Sequence, residues 1–170
     1  VNELGKMVID MQPKDQPHEA TGVSGTARSR ISWFGIERIA ESQGLYTKYG
    51  FHQETKVPQV LNQWFMSGSI EQKSDAEAVF REVGMWVAVM TSELSRMYKI
   101  DKSLISGTVL LGHGGMKIKD YANQYLEGTG LNVILPSQVR EELHFNVLLG
   151  VVYIDIDEIK KTKNKEISTG

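Results

Sequence analysis

The segment Gly107-Thr108-Val109-Leu110-Leu111-Gly112-His113-Gly114-Gly115-Met116 constrains this chain more than any other. Thr108 to Leu111 reads as a short apolar strand that runs straight into a glycine turn, and a helix is expected just after it, from Lys117 to Leu126. Glycine has no Cβ and accepts positive φ, so backbone at such a turn can approach a bound group closely. Successive N–H groups there, with a helix N-terminus behind them, attract anions such as phosphate. Two readings follow: a nucleotide site at Gly112, His113, Gly114 and Gly115, or a tight strand-to-helix turn with no ligand.

The clearest periodicity lies upstream of that turn. Val79, Val83, Trp86, Met90, Leu94 and Met97 recur at steps of three and four, which predicts a helix from Ser74 to Tyr98. Ser74 and Glu77 read as its capping box. After the glycine turn, Gly128 and Gly130 stop the next helix, and Leu131 to Leu135 reads as a strand. Nearer the start, Met7 to Asp10 reads as a short strand, and Gln12 to Gly25, with Pro13, Pro17 and Gly22, reads as loop. A helix is expected from Ser32 to Ser42, with Ser32 as N-cap and Gly44 past its end. A linker with Gly50 follows, then a helix from Val57 to Met66 that Gly68 ends. Glu141 to Ile159 reads either as a helix or as a helix with a strand-like end. Strands alternating with helices argue an α/β architecture.

The chain has 170 residues, enough for one domain or two small lobes, and 41% apolar content is enough for a real core. A net charge of −2 carries no basic excess of the kind nucleic acid demands. Cysteine is absent, which excludes disulfides and thiolate metal sites. The longest apolar run, Val147 to Ile154, is too short to span a membrane, and no signal peptide is visible, so the cytoplasm is the default expectation. The first residue is Val1, in the lead-in to a strand, which leaves open that the chain is a piece of a longer protein. The expected division is a folded unit over residues 1–160 and a charged, flexible tail over 161–170.

The order of these pieces resembles the second half of a sugar kinase of the repressor–ORF–kinase (ROK) family. Asn2 to Asp10 resembles that family's Gly-Glu-(Leu/Ile)-Gly-His segment and the strand after it. Gly22-Val23-Ser24-Gly25-Thr26-Ala27-Arg28 through Ser32 keeps the spacing of its Cys-Gly-x-x-Gly-Cys-x-Glu stretch and the serine that follows. The long helix and Leu111 to Gly115 resemble the family's adenine-side glycine motif, and Leu148 to Val152 resembles its closing helix. The resemblance implies one lobe of the actin-like ATPase (ribonuclease H-like) fold, a mixed sheet flanked by helices. It implies ATP and magnesium as cofactors, nucleotide at Gly112, His113, Gly114 and Gly115, and sugar near Glu3, Lys6 and Arg28. The N-terminal lobe, with the phosphate loop and the general base, is expected outside this chain, and no residue here is assigned a catalytic role. A homodimer is also in keeping with the family.

The departures are as informative. Where the family holds a structural zinc with one histidine and three cysteines, this sequence has Lys6, Glu19, Thr21 and Thr26, so zinc is not expected. Lys6 also replaces a sugar-contacting histidine and Arg28 a sugar-contacting glutamate. Lysine and arginine donate hydrogen bonds but accept none, so sugar recognition must differ or be lost, and an anionic sugar becomes a candidate ligand. Two functions therefore stand side by side: an ATP-dependent sugar kinase, and a ROK-type transcriptional regulator or inactive kinase-like sugar sensor. The second would touch DNA only through a segment not present here. A filament-forming actin relative is a third and weaker reading. His144 and Asn146 are read as packing residues, Trp64, Phe65 and Trp86 as core or interface aromatics, and Asp155 and Asp157 as solvated carboxylates.

Overall fold

Residues 6–11, 22–105 and 112–135 are described by a computed structural model. The chain enters in extended form, with Val8 bridging Thr26 in antiparallel sense. Ile9 and Asp10 N–H both donate to the Gly25 carbonyl, and Ala27 N–H donates to Met7. Gly25 has a φ of +70°, and a Cβ there would lie 2.1 Å from the Asp10 carbonyl oxygen, so only glycine lets the two segments come this close.

Two short helices follow, α1 (Ala27–Ile31) and α2 (Trp33–Ser42), with Ser32 between them. The Ser32 hydroxyl donates to the Arg28 carbonyl at the end of α1 and accepts from Gly35 N–H at the start of α2. Ser32 is thus the expected N-cap. Gly44, just past α2, takes a left-handed φ of +78°. α3 (Leu45–Tyr49) then runs between Gly44 and Gly50. Residues expected to form a linker are therefore helical. Five residues are too few for a 3.6-residue period to show, and Leu45 holds them by burying its side chain.

α4 (Val57–Ser67) buries Val57, Pro58, Leu61 and Trp64, much as its spacing predicts. Trp64 sits in an aromatic cluster with Tyr49 at 4.7 Å and Phe51 at 5.8 Å between ring centroids. α5 (Ile70–Tyr98) is the spine, 29 residues long. Its start differs from the expected one. Ser69, not Ser74, is the N-cap: its hydroxyl accepts from Gln72 N–H at 3.2 Å, and the Gln72 side chain accepts from Ser69 N–H at 2.9 Å. The sequence holds two capping-box patterns five residues apart, and the apolar stripe hides the first because Ile70 is 91% exposed. Val79, Val83, Met90 and Leu94 of the stripe are buried, whereas Met97 at its end is exposed.

β1 (Lys102–Leu104) pairs in parallel with β2 (Asn132–Ile134), with Ser103 opposite Val133. α6 (His113–Tyr125) lies between them in the chain. Asn123 on α6 closes β2 further, accepting from Val133 N–H at 2.7 Å and donating to its carbonyl at 3.0 Å. Of the expected unit, the described residues show the long helix, the helix after the glycine turn and the strand near Val133, whereas β1 lies at Lys102–Leu104, a strand the sequence reading does not place. The wider expectation of a mixed sheet flanked by helices is overturned. The described residues form six helices and one two-stranded parallel sheet, and 65% of them are helical. Met7 to Asp10 gives a single bridge instead of a strand. The main core joins α2 to α6 largely through helix-to-helix packing, with Ile36, Leu61, Phe80 and Ile118 fully buried. Two strands of three residues cannot bury a layer of helices, so helices cover one another. The strand expected over Thr108 to Leu111 and the elements expected beyond Leu135, including the 161–170 tail, lie outside the described residues.

The two capping patterns can be told apart. Ser69→Ala is expected to cost about 1 kcal/mol, the usual value of a lost N-cap, and Ser74→Ala to stay within about 0.5 kcal/mol of wild type, both read from urea unfolding.

Candidate functional site

Gly112 opens α6 with φ +80° and ψ −159°, a backbone conformation that side chains other than glycine resist. His113 is exposed, and Gly114 and Gly115 are buried as the first turn of the helix. The helix thus starts four residues earlier than the expected Lys117, counted from His113. Two adjacent glycines carry low helix propensity and mask the start in the sequence. Packing against α5 overrides that preference.

The glycines are held from two sides. A Cβ on Gly112 would lie 2.7 Å from Asn62 Nδ2, and a Cβ on Gly114 would lie 2.7 Å from the Phe80 ring. Asn62 Oδ1 accepts a hydrogen bond from Gly114 N–H at 2.8 Å, which satisfies one of the donors that a helix start leaves open. Phe80 in turn stacks on Phe65 of α4, with ring centroids 5.5 Å apart. The turn is a slot between the amide of Asn62 and the ring of Phe80. Neither residue was singled out from the sequence. The signal was there in part: Pro58, Leu61, Asn62 and Phe65 share one helical face, and a lone amide on an apolar face needs a partner.

Further along the seam between α5 and α6 lies a charged cluster. Lys117 Nζ is 3.2 Å from Glu77 Oε1, and the Tyr121 hydroxyl donates to the same oxygen. The Arg81 guanidinium lies 5.1 Å from the Tyr121 ring centroid. Hydrogen bonds from Tyr121 and then Lys117 hold the Glu77 carboxyl below its ordinary value. Burial first, and then Glu77, push the Tyr121 phenol up. Glu77 is therefore a cross-helix partner and not the capping residue that its spacing from Ser74 suggests.

The expected sugar-side residues fall elsewhere. Glu3 lies outside the described residues. Lys6 is exposed on the entering segment. Arg28 is exposed on α1, with its guanidinium 5.5 Å from the Phe34 ring centroid. Beside it, Ala27 packs in a small core with Ile9, Met90 and Leu94, while Gly114 meets α5 at Phe80. From Phe80 to Met90 is ~15 Å along a helix axis. The structure thus sets Arg28 and the glycine turn at different stretches of one helix. A nearly buried ion pair, Arg30 to Asp10 at 2.6 Å, anchors the entering segment there, with the guanidinium 5.3 Å from the Trp86 ring centroid.

Of the positions matching the family's zinc ligands, Glu19 and Thr21 lie outside the described residues, Lys6 is exposed and Thr26 is buried. Among the described residues, no three His, Asp or Glu gather to hold a metal ion, and no helix is long and apolar enough to cross a membrane. His144, Asn146, Leu148 to Val152, Asp155 and Asp157 lie outside the described residues. No protein-family profile and no curated protein matches the sequence.

The Glu77 cluster sets an acid limit on stability. A carboxylate whose folded value is lowered stabilises the fold fully above its unfolded value, taken as the ordinary 4.5, and that contribution is lost as pH falls through the lower folded value. The Tm gap between wild type and Glu77→Gln is expected to be widest near neutrality and to shrink below pH 4.5 in a thermal melt series.

Proposed function

We propose that this chain binds the nucleotide of an ATP-dependent sugar phosphotransferase, with the turn from Gly112 to Gly115 as the contact. The observation that carries this reading is the glycine turn itself. It opens a helix between two parallel strands, at positive φ, where a side chain on Gly112 or Gly114 has no room. Backbone N–H groups at such a helix start, other than that of Gly114, from which Asn62 already accepts, suit the oxygens of a phosphate or ribose. The reaction class comes from the resemblance to ROK sugar kinases, which covers most of the sequence. The described residues show no cluster that would hold magnesium on its own, and the metal would arrive with the phosphates of the nucleotide. Phosphoryl transfer also needs phosphate clamps and a positioned nucleophile, which a partner lobe must supply.

A second reading, a sugar sensor or ROK-type regulator without phosphotransfer, is favoured by one observation. Arg28 stands exposed where the resemblance places a sugar-contacting glutamate. A cation there donates to a ligand but cannot accept from its hydroxyls.

The two readings separate by turnover. ADP release from ATP and magnesium, measured on the protein with its N-terminal lobe across neutral and anionic sugars, is expected with at least one sugar. Sugar or nucleotide binding without turnover would favour the sensor. Gly112→Val is expected to weaken ADP binding at least about tenfold, the equivalent of ~1.4 kcal/mol. Unchanged affinity in that variant would remove the turn from the site.

A further inference from the structure

We propose that the entering segment, residues 6–11, is a latch that opens on its own and uncovers Met90 and Leu94 of α5 while the main core stays folded. Two cores meet on α5, and among the described residues only Ile31 and Trp86 pack against both. The smaller core holds the latch through one buried side chain of the segment, Ile9, clustered with Ala27, Met90 and Leu94. Val8 and Met11 beside it are exposed. Three backbone hydrogen bonds add to that seat: Ile9 and Asp10 N–H donate to the Gly25 carbonyl at 2.9 and 3.1 Å, and Ala27 N–H donates to the Met7 carbonyl at 2.7 Å. The Arg30–Asp10 pair at 2.6 Å closes it. A segment with so few buried apolar contacts opens locally, below the cost of global unfolding.

The closed latch also strands polar groups. Thr26, whose backbone bridges Val8, is fully buried, and its hydroxyl has no hydrogen-bond partner although it stands at the N-cap of α1. The indole N–H of Trp86, a residue packed against the same small core, is buried without a partner as well. A buried polar group without a partner carries its full desolvation cost, which water relieves on opening. Both groups therefore favour the open form, while Ile9 and the ion pair favour the closed one. Thr26→Val keeps the shape of the side chain and removes the stranded hydroxyl, so it tightens the latch.

The test is native-state hydrogen exchange on the full chain across low urea concentrations, with the Ile9, Asp10 and Ala27 amides read against Ile118 of α6. In wild type the three latch amides are expected to exchange at least about a hundredfold faster than Ile118, the equivalent of ~2.8 kcal/mol, and with a shallower urea dependence. Thr26→Val is expected to slow them about tenfold. Ile36→Val, a small truncation in the main core, is expected to speed Ile118 about fivefold and to leave the latch amides unmoved. The chain has no cysteine, so the single thiol of Met90→Cys reports the uncovered seat. Its labelling is expected to keep pace with the latch amides of the same variant. Latch amides that share the rate and urea slope of Ile118, or that speed with it in Ile36→Val, overturn the proposal, because the segment then opens only with the core. An unchanged rate in Thr26→Val overturns it too, as does a thiol in Met90→Cys that reacts only at the rate of global unfolding.

Discussion

The close approach of α5 and α6 is the constraint on which the rest depends. Gly84 makes it possible: a Cβ there would lie 2.7 Å from Tyr121 Cβ and 2.9 Å from the Ile118 carbonyl oxygen. With the axes this near, Phe80 meets Gly114 one turn upstream, and Glu77 reaches Lys117 and Tyr121 a turn before that. α6 then carries Asn123 against β2, and β2 pairs with β1. A side chain at Gly84 would separate the helices and lose all of these contacts in order, because packed interiors have little slack.

The glycine turn depends on that packing and on α4. Neither its positive φ nor its buried first turn is stable in isolation, since glycine pairs disfavour helix. The turn persists because Phe80 lies on one side, Asn62 lies on the other, and Gly114 N–H has an acceptor. The same helix α5 serves a second, separate group at its far end, where Ile9, Ala27, Met90 and Leu94 cluster under the Arg30–Asp10 pair. The long helix is thus a shared wall, with the candidate nucleotide turn and the exposed Arg28 on different stretches of it.

Sequence reasoning recovered what periodicity and capping can encode. The Ser32 cap, the Val57 helix, the body of the long helix and the strand around Val133 all appear close to where their patterns put them. It failed where the signal was short or doubled. α1 and α3 have five residues each, below the length at which a helical period shows. Ser69 and Ser74 offered competing boxes, and the exposed Ile70 gave no apolar cue to the first. The mixed sheet expected from the sequence is not there because the short strand-like runs pair little, while apolar helix faces carry the packing. At the site the glycines were legible because chain conformation demands them. Asn62 was legible only in part: a lone amide on the apolar face of α4 needs a partner, but that partner lies 52 positions away, where no local pattern points to it.

The most direct test is a titration of the isotope-labelled chain with ADP and magnesium, following backbone amide shifts. Nucleotide at the turn predicts the largest shifts at His113, Gly114 and Gly115, with smaller ones at Asn62 and Phe80. Shifts that leave those amides unmoved, or that gather around Arg28 and Phe34 instead, would contradict the account.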